Sequence, residues 1–148
     1  MAENDAASRE VARAAEDLRR VIRLLKRRMH EYQPPGAPTA AQEDVLGLLL
    51  DGGETTPGDL AAAERMRPQS MGEMLSDLER LGLVARSPHP SDRRRVLISL
   101  TGAGRVGITA GRNSRQDRLV AAISELFDGD ERARLIDGIQ LLLRLAEA

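Results

Sequence analysis

The stretch from Thr56 to Thr101 constrains the fold most, because its apolar residues change period within it. Thr56 can cap a short helix, with Pro57 at its first position and Leu60 and Ala61 inside. Glu64 to Arg67 reads as a turn. Pro68 then opens a second helix whose Met71, Met74, Leu75 and Leu78 fall at i, i+3, i+4 and i+7, the stripe of a buried helical face. Gly82 ends it. Leu83 to Arg86 is β-compatible, and Val96 to Leu100 is rich in β-branched residues and reads as a strand. The loop between them, through Pro88, His89, Pro90, Ser91 and Asp92, is too long for a two-residue turn. The spacing therefore predicts helix, turn, helix and a charged hairpin.

The flanks are helical. Residues 1–7 are expected to form a loose, disordered tail. Residues 8 to about 30 read as a long helix, and Val11, Ala15, Leu18, Ile22, Leu25, Met29 and Tyr32 recur at alternating spacings of four and three, with Arg13, Arg20, Arg23 and Arg27 opposite. Pro34, Pro35, Gly36 and Pro38 end that helix. A helix after Thr39 carries Val45, Leu46 and Leu49 and stops at Asp51-Gly52-Gly53. Thr101 can cap a further helix, which three glycines between 102 and 107 weaken at its start and which firms up towards Leu119. Beyond Asp128-Gly129-Asp130, a last helix carries Leu135, Ile136, Ile139, Leu142 and Leu143. The fold class is mainly α with a small β-hairpin, in one continuous domain.

Composition removes several function classes. There is no cysteine, so disulfides, thiolate metal sites and thiol redox sensing are excluded. Tyr32 and Phe127 are the only aromatics, too few for base-stacking platforms. No apolar run could span a bilayer and the N-terminus has no signal-peptide core, so no membrane partner and a cytoplasmic location are expected. No enzyme constellation, dinucleotide fingerprint, P-loop or metal-ligand spacing occurs, so neither catalysis nor a cofactor or metal is expected. His89, Ser91 and Asp92 share a loop, but sequence neighbours are rarely arranged as a triad.

Net charge is −1. Nucleic-acid binding depends on local basic surface, so that total does not exclude it. A short helix and a turn can brace a second helix for the major groove. The exposed face of that helix holds Gln69, Ser70, Glu73 and Asp77, with Arg67 at its start. Gln, Ser and Arg can bond base edges or phosphates. The hairpin carries Arg86, Arg93, Arg94 and Arg95, and an Arg-rich loop suits a minor groove. Asp92 is expected to pair with one of these arginines and orient it. From Gly53 to Leu100, however, arginines and acids balance, so a module that binds protein rather than DNA stays open.

Leu60-Ala61, Arg67-Pro68-Gln69-Ser70-Met71, Leu78 to Val84, and above all Asp92-Arg93-Arg94-Arg95 followed by Val96 to Thr101 and Gly104 resemble the MarR family of winged helix-turn-helix transcription regulators. The resemblance covers essentially the whole chain. It implies a winged helix-turn-helix over residues 39–101 and a dimerisation region of residues 8–38 and 102–148. Val11, Leu18, Ile22, Leu25, Phe127, Leu135, Ile139 and Leu142 would lie in the homodimer interface. The DNA partner would be a pseudo-palindromic duplex operator, with Arg94 in the minor groove and Arg93 supporting it. A repressor released by a small lipophilic or aromatic ligand is implied, with Met29, His30 and Tyr32 edging the pocket. Arg65 departs from the pattern, standing where members often carry glycine.

Overall fold

The computed structural model describes residues 2–31 and 35–148. In chain order the elements are α1 (Ala2–His30), α2 (Ala40–Gly52), α3 (Pro57–Ala63), α4 (Pro68–Arg80), β1 (Val84–Pro88), β2 (Val96–Leu100), α5 (Gly102–Leu126) and α6 (Gly129–Ala146). The helix starts are written in side chains. Thr39 accepts from the amide of Gln42 at 3.3 Å while the Gln42 side chain accepts from the Thr39 amide at 2.9 Å, a reciprocal capping box. Thr56 caps α3 with Pro57 behind it, and Asp128 and Glu131 repeat the box at α6.

Two expectations are corrected. The tail over residues 1–7 is helical from Ala2 onward. Ala2, Ala6 and Ala7 are strong helix formers. Nor do the glycines weaken the start of α5, which is helical from Gly102. Thr101 secures it: its hydroxyl accepts from the Gly104 amide at 3.0 Å and donates to the Gly82 carbonyl at 2.6 Å.

β1 and β2 pair antiparallel, Val84 opposite Leu100 and Pro88 opposite Val96. Thr55 bridges to Ile98 and adds a third rung ahead of α3. The core comprises Val45, Leu46 and Leu49 of α2, Leu60 and Ala61 of α3, Met71, Leu75 and Leu78 of α4, Val84 and Ile98 of the hairpin, and Ile108 of α5. Met74 is only half-buried and packs on the rim of this core, not inside it. Among the described residues, the buried apolar ones thus run from Val45 to Ile108. The described side chains of α1 and α6 include none that is buried; Val11, Ile22, Ile139 and Leu142 are exposed. Among the described residues, no helix is long and apolar enough to cross a membrane.

Candidate nucleic-acid interface

The turn between α3 and α4 holds Arg65 at φ 50°, a left-handed conformation that favours glycine. The Met66 amide donates to the Ala61 carbonyl at 2.8 Å and closes the turn. Pro68 starts α4 where a missing N–H costs nothing. Burial of Met71, Leu75 and Leu78 turns the opposite face outward, so Gln69, Ser70 and Glu73 are exposed, with Arg67 ahead of them at the N-cap. Arg67 makes no side-chain cap bond.

The acids of α4 are not equivalent. Asp77 pairs with Arg80 one turn later. Glu79 accepts from Arg86 of β1 at 3.0 Å, and Arg86 also donates to Ser76 at 3.3 Å. Among the described residues, Glu73 is the one α4 acid with no cation partner. The equal count of arginines and acids therefore does not describe the exposed face. Arg86, expected to contact DNA, is engaged with α4 and ties the hairpin to that helix.

The loop from His89 to Arg95 is held by its own backbone. The His89 amide donates to the Arg95 carbonyl at 3.1 Å, and the Arg95 amide to the Asp92 carbonyl at 3.0 Å. The Asp92 carboxylate accepts from the Arg94 amide at 3.0 Å. This bond makes an Asx-type turn at the tip, and the expected pairing of Asp92 with an arginine side chain is absent among the described residues. Ser91 Oγ and His89 Nδ1, in the same loop, are 3.1 Å apart. Arg93 and Arg94 are exposed, and among the described residues neither guanidinium has a hydrogen-bond or ion-pair partner. Arg95 faces differently. Its charge acts on Asp59 of α3, whose pKa is lowered first by hydrogen bonds from Thr56 and Thr55 and further by Arg95.

A cleft of about 350 Å³ lies at the junction of α1, α2 and α5. Met29 and His30 line it, with Leu48 and Ile108 and a set of charges: Glu43, Asp44, Asp51, Arg112 and Arg115. Tyr32, expected beside them, lies outside the described residues. His30 Nδ1 is 3.3 Å from Glu43, which also pairs with Arg115. Lys26 of α1 bonds Asp44 at 3.1 Å. Hydrogen bonding to Arg112 lowers the Asp51 pKa and raises that of Arg112. None of these α2–α5 charges was singled out in the sequence. The available signal was the placement of Ile108, Arg112 and Arg115 along one face.

Of the residues expected at a dimer interface, Leu18 and Leu135 are half-buried, while Val11, Ile22, Leu25, Phe127, Ile139 and Leu142 are exposed. They form apolar faces on α1, on α6 and at the turn before α6. The structure leaves these faces uncovered within one chain.

The MarR family profile matches residues 39–96, spanning α2, the helix-turn-helix and the hairpin loop. An HTH-type transcriptional regulator of Mycobacterium leprae is 36% identical over 92% of this chain and 94% of its own. Among solved structures, a transcriptional regulator protein from Pseudomonas aeruginosa is 35% identical with a TM-score of 0.79, covering 94% of this chain and 97% of that one. The Multiple Antibiotic Resistance Repressor, MarR, is 27% identical with a TM-score of 0.77, over 87% of this chain and 94% of its own.

Proposed function

The chain belongs to the MarR family of transcriptional regulators, and from that premise we propose that it is a cytoplasmic homodimer that binds a pseudo-palindromic DNA duplex sequence-specifically. The observation that carries this reading is the pair of guanidinia of Arg93 and Arg94, without a partner among the described residues, on a loop whose backbone bonds to Asp92. The hairpin that carries them is tied through Arg86 to the helix that exposes Gln69 and Ser70. Fixed cations on a narrow loop suit a minor groove, and amide and hydroxyl side chains suit base edges or phosphates. Arg67 at the head of α4 suits a phosphate. The uncovered faces of α1 and α6 support the homodimer, since apolar patches of this extent mark an association surface. The module that would bind protein instead of DNA is not favoured.

Repression with release by a small lipophilic or aromatic ligand is the finer reading. The repressor named among the structural neighbours supports the first part. The junction cleft supports the second, with Met29, Leu48 and Ile108 for an apolar body.

The test is fluorescence anisotropy on duplexes taken from upstream of the gene and from a selected random library, at low and physiological salt. Binding is expected to weaken steeply with salt as phosphate contacts release counterions. Arg94→Ala is expected to cost about 1–3 kcal/mol of affinity, and Gln69→Ala to alter sequence preference more than overall affinity. No binding by the wild type to any duplex refutes the reading; an unchanged affinity in Arg94→Ala removes the role given to that residue.

A further inference from the structure

Helix α5 meets the reading head along one face, and the face changes character along its length. Gly104 and Ile108 are buried against the hairpin and the core. Further along, Arg112 and Arg115 continue that face at helical spacing. Arg112 donates from Nη1 and Nη2 to the two carboxylate oxygens of Asp51, at 2.8 and 2.9 Å. Two parallel bonds fix the direction of a planar guanidinium as well as its distance. Arg115 pairs with Glu43 at the other end of α2. Past Arg115, Leu119, Val120 and Leu126 of α5 are exposed.

Glu43, Gly47 and Asp51 fall four residues apart, on one face of α2. A Cβ on Gly47 would lie 2.8 Å from Arg112 Nη2. A glycine in mid-helix costs helix stability, yet this one leaves the space through which the guanidinium reaches Asp51. The Asp51 side chain is 66% exposed and that of Arg112 41%; exposed pairs ordinarily contribute little to stability, and bidentate Arg–carboxylate geometry is the exception. What the pair supplies is orientation.

We propose that the Asp51–Arg112 pair, seated over Gly47, is a clamp that fixes the angle of the reading head on α5 and so sets the half-site spacing a dimer reads. This rests on the dimeric DNA-binding reading above. In such a dimer the two heads are joined through the α1, α5 and α6 helices, and rotation at the α2–α5 joint is levered out to α4 and the hairpin. Inserting one base pair moves a half-site both along and around the duplex, so rigid heads discriminate against it.

The absence of native cysteine lets Ser87→Cys on β1 carry one spin label per protomer. Label-to-label distance distributions in the dimer, measured without DNA, are compared for wild type, Asp51→Asn, Arg112→Lys and Gly47→Ala. The same proteins are then titrated with duplexes whose half-sites are one base pair nearer or farther than the best spacing. The distribution is expected to widen in all three variants, and preference for the best spacing to fall several-fold. Arg112→Lys is included because it keeps the charge and loses only the paired geometry. Distributions as narrow as the wild type's, or an undiminished spacing preference, overturn the clamp. Absence of coupling between wild-type labels instead overturns the homodimer, and coupled labels with no duplex bound overturn the DNA reading, so each failure is distinct.

Discussion

Replacing a helical glycine by alanine ordinarily stabilises a protein, by about 1 kcal/mol in a helix interior; at Gly104 the sign is expected to reverse. A Cβ there would sit 2.9 Å from the carbonyl carbon of Leu83, closer still to its oxygen, and 3.2 Å from Leu100 Cδ2. Carbon atoms rest at about 3.5 Å or more, and the nearest obstacle is backbone that cannot rotate away. The first turn of α5 must therefore retreat. That disturbs the Thr101 cap and the bond from the Thr101 amide to the Leu83 carbonyl at 3.1 Å. Overpacking at roughly 2 kcal/mol and a weakened cap at roughly 1 kcal/mol, less a propensity gain of about 1 kcal/mol, leave Gly104→Ala about 2 kcal/mol less stable. Gly107 is the internal control. It lies in the same helix with nothing within 4 Å of the added carbon, so Gly107→Ala is expected to gain about 1 kcal/mol. Urea unfolding at one fixed protein concentration measures both, since association makes stability concentration-dependent. A Gly104→Ala protein as stable as wild type, or a Gly107→Ala protein equally damaged, would refute the close approach of α5 to Leu83.

Charged substitutions at Leu18 and Ile22 are expected to split or unfold the dimer; a folded dimer by sedimentation would remove that seam from the interface. Arg65→Gly is expected to raise unfolding free energy by about 0.5–1 kcal/mol, the left-handed cost of about 1–2 kcal/mol less the entropy a glycine loses. A loss of stability there would argue against the positive φ. Asp51 and Asp59 both ionise below the ordinary aspartate value of 3.8. A carboxyl depressed in the folded state adds stability above its unfolded pKa and loses it as pH falls through the folded one. The melting temperature should thus drop as pH is lowered from about 4, and less steeply in Asp59→Asn; equal slopes would reject the link.

Local chemistry made much of the fold legible. Thr39, Thr56 and Thr101 cap the helices they precede, and Met71, Leu75 and Leu78 are buried as their spacing requires. The reading failed where distant partners decide. No local pattern shows that Arg86 would turn to Glu79, or that Gly47 makes room for an arginine of α5. The α5 start was misjudged because the glycine penalty is local, whereas the contact that calls for Gly104 comes from Leu83. Asp92 takes a backbone amide two residues on, which is nearer than any flexible guanidinium, and so does not pair with an arginine side chain as its sequence context predicts. Arg93 and Arg94 stood out in the sequence because exposed loop cations need no distant partner to be recognised.

The Asp92 turn has a consequence of its own. The loop needs one oxygen acceptor at that position, and the bond to the Arg94 amide takes Oδ1 alone. Asparagine supplies the same acceptor without the negative charge. Frame and field at the hairpin tip are therefore separable: a single atom exchange makes the tip more positive by one unit while its outline stays fixed. Strength of attachment to a polyanion can thus drift through evolution without rebuilding the part that fits it.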